Sequence, residues 1–152
     1  MAHVELSLES FPPVRDADRE GSAIAGLPTL ARWSAVVRGA VEPCLVIDSR
    51  ETIVGASVAC CELLGLGGPG TAVGRCLLDE VRLIDFTANQ GELTEPEMAA
   101  IPPLLAVTSG RLARGLLRVQ RLGQLPTTLD AIATPLLDGG RVAGSLTFFA
   151  EV

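Results

Sequence analysis

The last third of the chain contains three strand-like segments separated by short turns, and this pattern restricts the possible folds more than any other feature. Residues 116–122, 127–136 and 142–150 are rich in apolar side chains that suit strands. The connections at residues 123–126 and 138–140 contain glycine, and the second one allows the positive φ angles of a tight hairpin. Because strands joined so closely pair antiparallel, we predict three antiparallel strands of one sheet.

A second hairpin and a helix are predicted upstream of these strands. Two apolar runs, residues 44–47 and 52–56, flank a polar turn at residues 48–51. Ser57 stands where a helix N-cap belongs, and Gly65 stands where the same helix would stop. The sequence therefore predicts a β-hairpin followed directly by a short helix.

The middle of the chain, residues 75–107, predicts short helices interrupted by Pro102 and Pro103. The order of two strands, several helices and three strands is typical of an α+β fold. We therefore predict a five-stranded antiparallel sheet with short helices packed on one face. A length of 152 residues suits a single domain, which we assign to residues 29–152.

Residues 1–28 are predicted to be an N-terminal extension or linker. Their proline, charged and glycine residues are typical of a linker rather than a core. They also contain an alternating apolar patch, Val4, Leu6 and Leu8, of the kind that pairs as an edge strand.

A short amphipathic helix is predicted after the linker, with Thr29 as its N-cap. Its apolar stripe is a candidate interface for self-association, although such a stripe more often packs into the core. The stripe consists of Leu30, Trp33, Val37 and Val41.

The residue types that are missing exclude several enzyme classes. All 12 basic residues are arginine, tyrosine is absent, and the one histidine is His3. The chain therefore has no lysine for a nucleophile or a phosphate-binding P-loop. It has only His3 for histidine base catalysis or a histidine metal site. The acidic pairs Asp79–Glu80 and Glu95–Glu97 suit helix starts better than acid–base chemistry. We expect no enzyme activity and no metal site.

Charge and cysteine usage limit the partners and the compartment. A net charge of −6 argues against nucleic acid, and no apolar run is long enough to span a membrane. Four cysteines without CxxC spacing are expected to be buried thiols of a cytoplasmic protein: Cys44, Cys60, Cys61 and Cys76. The absence of lysine in an arginine-rich and alanine-rich chain favours a bacterial source.

Four arginines lie in the loop before the first of the three C-terminal strands and within that strand. They could form a basic stripe for an acidic partner, or they could keep an edge strand soluble. They are Arg111, Arg114, Arg118 and Arg121.

From about residue 30 to residue 152 the chain resembles the PAS family. The resemblance rests on LVIDSRETIVGAS, where Ser57 replaces the commoner asparagine, and on VACCELLGL, VGRCLLDEV and ATPLLDGGRVAGSLTFF, in the order and spacing of a PAS domain. It implies a five-stranded sheet that cups an apolar cavity closed by short helices. It also implies dimers formed through the outer sheet face and the N-terminal helix.

The resemblance leaves the cofactor unknown. Histidine-bound haem lacks its ligand, and the flavin-binding light-sensor motif is broken because Cys76 stands at its asparagine and Leu77 at its reactive cysteine. A thiol-linked chromophore would lack its usual tyrosine. Haem ligation by the thiolate of Cys60, Cys61 or Cys76 stays open.

An apolar pocket with few polar groups is the remaining expectation, and a solid core made by the same residues is its alternative. Ser57, Thr134, Ser145 and Thr147 are the polar side chains expected to orient a ligand. The expected lining is Leu45, Ile47, Ser57, Leu63, Leu64, Leu104, Leu105, Val119, Leu129, Leu146 and Phe148.

We therefore expect a stand-alone, cytoplasmic PAS-type sensory module that binds a small apolar ligand. Because the chain ends with its last strand, the signal is expected to pass to a partner in trans, such as a kinase or a transcription regulator, unless the chain is part of a longer protein. A ligand-free adaptor for dimerisation or protein interaction is the alternative. Either way we expect a homodimer, without nucleic acid or membrane as partner.

Overall fold

A computed structural model describes residues 28–152. The predicted α+β fold with a five-stranded antiparallel sheet is confirmed. The helices are α1 (Thr29–Arg38), α2 (Val58–Leu64), α3 (Pro69–Ala72), α4 (Leu77–Glu80), α5 (Glu95–Ala99) and α6 (Pro102–Ser109). The strands are β1 (Cys44–Asp48), β2 (Ile53–Ala56), β3 (Ala113–Val119), β4 (Thr127–Asp138) and β5 (Arg141–Glu151). The alternating patch Val4, Leu6 and Leu8 lies outside the described residues.

The sheet has the strand order β2-β1-β5-β4-β3, so the first hairpin pairs with the last strand. β4 and β5 form a long hairpin whose turn uses Gly139 and Gly140 at φ 56° and 79°. Successive residues of each strand alternate between two faces, which we call the inner and outer faces. Leu45 faces Thr147 across β1 and β5 on the inner face, and Cys44 faces Phe148 on the outer face.

The inner face carries the main core, formed against α2 and α6 and the segments around α4. Ile47 and Leu129 from the sheet are fully buried there, together with Cys60 from α2. α2 has the predicted cap residues, with Ser57 at its N-cap and Gly65 in a left-handed conformation at its end. The hairpin and helix predicted between residues 44 and 65 are thus both present.

Helix α1 packs on the outer face, opposite the other helices. Val37 is buried with Val46 and Leu146 in a second apolar cluster. The helix lies so close to β2 that a Cβ atom on Gly55 would be 2.8 Å from the Cα of Ser34. Both faces of β1 are therefore covered, whereas α1 covers only part of the outer face of β5.

Two details of the sequence prediction are corrected by the structure. Thr29 is the first residue of α1 rather than its N-cap, and its hydroxyl contacts the Asp138 carboxylate and the Leu137 carbonyl at the end of β4. Val41 lies beyond the end of α1 and is exposed, because the helix stops at Arg38.

The strand predicted at residues 116–122 is shifted towards the N-terminus and is β3. Its buried positions alternate as Ala113, Leu117 and Val119, whereas the chain turns away after Val119. The Gln120 side chain donates to the carbonyl oxygens of Arg121 and Gln124 and so stabilises the β3–β4 turn.

Candidate functional site

The inner side of the sheet brings together seven of the predicted lining residues. They pack against one another and against α2 and α6 in the main core, where Leu63 is partly buried. These residues are Leu45, Ile47, Leu63, Leu64, Leu104, Val119 and Leu129.

Three other predicted lining residues lie elsewhere. Leu146 and Phe148 are on the outer face of β5, where Leu146 packs against Val37 of α1 and Phe148 is 44% exposed. Leu105 is on the exposed side of α6. In β5, which pairs with β1, the odd-numbered residues face inward. Neighbouring residues of a strand lie on opposite faces, so the even-numbered Leu146 and Phe148 face outward. The inner residue at this level is Phe149.

Ser57 has no hydrogen-bonding capacity left for a ligand. Its Oγ accepts from the backbone N–H groups of Cys44 and Cys60, each at 3.1 Å, and donates to the carbonyl of Glu42 at 2.7 Å. A hydroxyl offers one proton and two lone pairs, and all three are used. Ser57 therefore connects α2 to β1 through its side chain.

Two polar side chains of β5 point into the buried inner side. Ser145 donates to the carbonyl of Pro103 at 2.8 Å. Thr147 is 1% exposed, and its hydroxyl has no hydrogen-bond partner within residues 28–152. Thr134 pairs with Leu146 on the outer face and is exposed, so it is not part of this region. Of the predicted polar groups, Thr147 alone retains an unused buried hydroxyl.

A small apolar void lies between the inner face and the short helices. Its volume is about 10 Å³, which is close to the minimum that one water molecule needs. The lining residues are Leu64, Leu77, Leu78, Val81, Leu83, Ile101, Pro103, Leu117 and Phe149. The side chains of the chain itself thus nearly fill the expected cavity.

Of the void residues, sequence reasoning identified only Leu64. Leu117 lies on β3 and Phe149 on β5. The others lie on α4, on the irregular segment after it and at the start of α6, where no regular periodicity marks the buried side. A correct register for the last hairpin would have identified Phe149, because its pairing with Ala131 places both on the inner face.

A wider, solvent-open cleft of about 460 Å³ lies elsewhere, beside the β3–β4 turn. Arg121 forms one wall, and its guanidinium donates to the Glu62 carbonyl at 3.2 Å and the Thr127 hydroxyl at 3.4 Å. Arg82 and Glu80 also line this cleft. Because the cleft is open to solvent and its charged groups are mixed in sign, we do not consider it the ligand site.

Three of the four cysteines are buried thiols. Burial raises the pKa of Cys44, Cys60 and Cys61, which keeps these side chains protonated and unreactive at neutral pH. Cys76 is partly exposed. Across residues 28–152 no group of three or more histidine, cysteine or carboxylate side chains is placed to hold a metal ion.

One member of each acidic pair, Glu97 and Glu80, has a local structural role. The hydroxyl and backbone N–H of Thr94 both donate to Glu97 at 2.8 Å at the start of α5, and these bonds lower the pKa of Glu97. Glu80 forms an ion pair with Arg75 at 3.1 Å. Within residues 28–152 no helix is long and apolar enough to cross a membrane.

The predicted interface stripe is divided by the structure. Val37 and Leu30 pack into the cluster under α1, Trp33 is 37% exposed, and Val41 projects from the loop after the helix. Beside α1, part of the outer face is uncovered and presents three large apolar side chains. We call this surface the outer patch; it consists of Leu116, Ile132 and Phe148.

Solved structures resemble the whole described domain. A PAS domain from Colwellia psychrerythraea superposes with a TM-score of 0.56 at 13% identity, over 82% of this chain and 98% of its own. The chain has the PAS fold. The PAS domain of a LuxR-family transcriptional regulator from Burkholderia thailandensis, solved with ethanol, gives a TM-score of 0.51 at 9% identity, over 79% of this chain and 96% of its own.

A third PAS-fold neighbour is the VqmA dimer of Vibrio cholerae, described as a LuxR-type receptor. It gives a TM-score of 0.53 at 17% identity, over 83% of this chain and 52% of its own. No family model and no curated protein matches the sequence. At these identities the likeness establishes the PAS fold, and the site itself must support any function.

Proposed function

We propose that this PAS domain is a signalling and interaction module that self-associates through the outer patch. The observation that carries the proposal is the contrast between a nearly filled interior and an uncovered apolar outer face. Ile132 and Phe148 are directly opposite each other on β4 and β5 and are 37% and 44% exposed. Leu116, one strand further, is 54% exposed.

The geometry of the outer patch suits a symmetric pair. A two-fold axis places the same residues of two copies against each other, so an apolar patch is complementary to itself. Arg114 lies opposite Ile132 on β3 and binds Asp130 through two bonds, at 3.1 Å and 2.6 Å. This pair gives the patch a polar rim with both signs of charge, which suits an interface. VqmA, which shares the fold, is a dimer in its solved structure.

Sensing of a small ligand on the inner face is a second candidate function. The buried hydroxyl of Thr147 favours it, because a buried hydroxyl without a partner costs about 1–3 kcal/mol. A void of about 10 Å³ restricts such a ligand to a very small, mostly apolar molecule unless side chains such as Leu78 and Phe149 move. The Burkholderia PAS domain was solved with ethanol, which is a small molecule although larger than this void.

Under either candidate the module is not an enzyme, and its signal leaves through contact with another protein in the cytoplasm. A transcription regulator or a kinase is the class of partner that fits a signalling module. The LuxR-type regulators among the structural neighbours support the first of these.

The test is sedimentation velocity and native mass spectrometry at protein concentrations from about 1 to 100 μM. We expect a dimer for the wild type and a monomer for Ile132→Glu, because the substitution places two carboxylates at a symmetric contact. Glu at position 132 faces Arg114 across the strands, so the fold is retained. The matched control is Leu125→Glu, a fully exposed position in the β3–β4 turn.

A wild type that stays monomeric over this range contradicts self-association through the patch. In the same mass spectra, a bound molecule that survives in Ile132→Glu supports the second candidate independently of the first. A Thr147→Val variant that loses this bound mass assigns the molecule to the inner face.

A further inference from the structure

The sheet has one edge that is only partly covered, and this edge is β3. Ile84 donates its backbone N–H to the Arg118 carbonyl at 3.0 Å, and Gln120 donates its backbone N–H to the Arg82 carbonyl at 2.9 Å. The outward backbone groups of β3 therefore belong to its even-numbered residues. Those of Arg114 and Leu116 have no hydrogen-bond partner within residues 28–152.

The opposite edge, β2, is closed by the segment at residues 74–77. Ile53 donates to the Arg75 carbonyl at 2.9 Å and accepts from Gly74 at 2.8 Å. An added strand thus has room at β3 and not at β2. Unpaired edge groups are a template for pairing with another extended segment.

The two sides of the free β3 edge have different chemistry. On the inner side, a largely apolar groove of about 230 Å³ runs past Gly115 and Leu117 and is bordered by Phe86, Leu93 and Ile101. The outer side carries Arg114, which is paired with Asp130, and Arg118, which also borders the groove. The edge therefore suits a strand with apolar side chains at every second position and acidic side chains between them.

The first nine residues of this chain have that pattern. Val4, Leu6 and Leu8 alternate with Glu5, Ser7 and Glu9. We propose that residues 4–8 add to β3 as a sixth strand of the same chain, with their leucines in the groove and their glutamates beside Arg114 and Arg118.

The connecting chain is long enough for this arrangement. Thr29 contacts Asp138 at the end of β4, and the β4 residue opposite Leu116 is Asp130, eight positions earlier. The distance from Thr29 to the free edge is therefore about 30 Å, at about 3.4 Å per residue and 4.8 Å per strand. The twenty residues between Leu8 and Thr29 can span about 66 Å.

Charge favours this occupant over the same edge of a second copy. Pairing β3 with β3 of another copy would place Arg114 and Arg118 against the same arginines. The Arg118 guanidinium contacts the Asp85 carbonyl at 3.5 Å, and no carboxylate of residues 28–152 forms an ion pair with it. An acidic strand instead adds opposite charge beside it.

The test is hydrogen exchange of the full-length chain, measured by NMR at the amides of Arg114 and Leu116. We expect these amides to exchange at least about tenfold more slowly in the wild type than in Leu6→Glu, which places a charge in the apolar groove. Ser7→Ala is the matched control and should retain the protection, because residue 7 faces outward. The amide of Gln120 reports that the fold is intact in every variant.

Two results overturn the proposal. The first is equal exchange of the Arg114 and Leu116 amides in the wild type and in Leu6→Glu. The second is protection that increases when the protein concentration is raised tenfold, which assigns the edge to a second copy rather than to the same chain.

Discussion

Phe148 and Phe149 are neighbours in the sequence, yet their rings lie on opposite faces of the sheet. Phe149 is 5% exposed and lines the inner void, whereas Phe148 is 44% exposed and belongs to the outer patch. A change in packing around Phe149 therefore acts on the same stretch of β5 backbone that positions Phe148. This pair gives the fold a direct connection between the inner face and the proposed interface.

Substitutions of the two phenylalanines should separate the core packing of Phe149 from the interface contacts of Phe148. We expect Phe149→Ala to lower the free energy of unfolding by about 3–5 kcal/mol, because it leaves a cavity in the core. Phe148→Ala should cost less than about 1.5 kcal/mol and should weaken the dimer instead. Urea unfolding and sedimentation velocity measure the two effects. Equal losses of stability would contradict the placement of Phe149 in the core and Phe148 on the surface.

Ser57→Ala should destabilise the domain by about 1–3 kcal/mol, because it removes an N-cap and leaves two buried backbone N–H groups without an acceptor. Ser49→Ala, an exposed position in the β1–β2 turn, should change stability by less than about 0.5 kcal/mol. Thermal and urea unfolding are the measurements. A loss of the same size for both variants would argue against the structural role of the Ser57 hydroxyl.

Gly55→Ala should displace α1 from the outer face. The added Cβ would lie 2.8 Å from the Ser34 Cα and 2.9 Å from a Val37 methyl, and the first contact is with backbone that cannot rotate away. We expect a loss of about 2–4 kcal/mol and increased exposure of Trp33, read by its fluorescence. Gly68→Ala is the control, because nothing lies within 4 Å of its added Cβ. Unchanged stability and fluorescence in Gly55→Ala would contradict the close packing of α1.

Stability should fall as the pH rises above about 8.5, the pKa of an exposed thiol. Burial raises the folded-state pKa of Cys44, Cys60 and Cys61, so above pH 8.5 the unfolded chain releases protons that the folded chain keeps. Each such thiol removes about 1.4 kcal/mol per pH unit until its folded pKa is reached. The chain has no lysine or tyrosine to obscure this effect.

The measurement is the urea midpoint at pH 8 and pH 10 under reducing conditions. Cys60→Ala should lower the stability at pH 8 but reduce the pH dependence by about 1.4 kcal/mol per unit. An identical midpoint at the two pH values in the wild type would show that these thiols are not kept protonated by the fold.

Much of the architecture was readable from local residues. The turn at Gly139 and Gly140, the cap pair Ser57 and Gly65 and the run of three C-terminal strands each depend on a few neighbouring positions, and the structure contains them all. The helix α1 was also predictable from its apolar spacing, except for its last turn. These features were sufficient to predict the α+β fold, and the resemblance to PAS domains rests on the same segments.

The candidate site depended on which face each residue occupies, and only the tertiary structure decided that. The inner face is covered by α2 and α6, and on the outer face α1 covers β1 and part of β5. The apolar runs of these two strands therefore show no alternation that would mark the inner face. The cross-strand register placed Phe149 inside and Phe148 outside, since a shift of one residue exchanges the faces. The order of elements was thus determined by local sequence, whereas the nearly filled interior and the exposed outer patch arise from packing between distant segments.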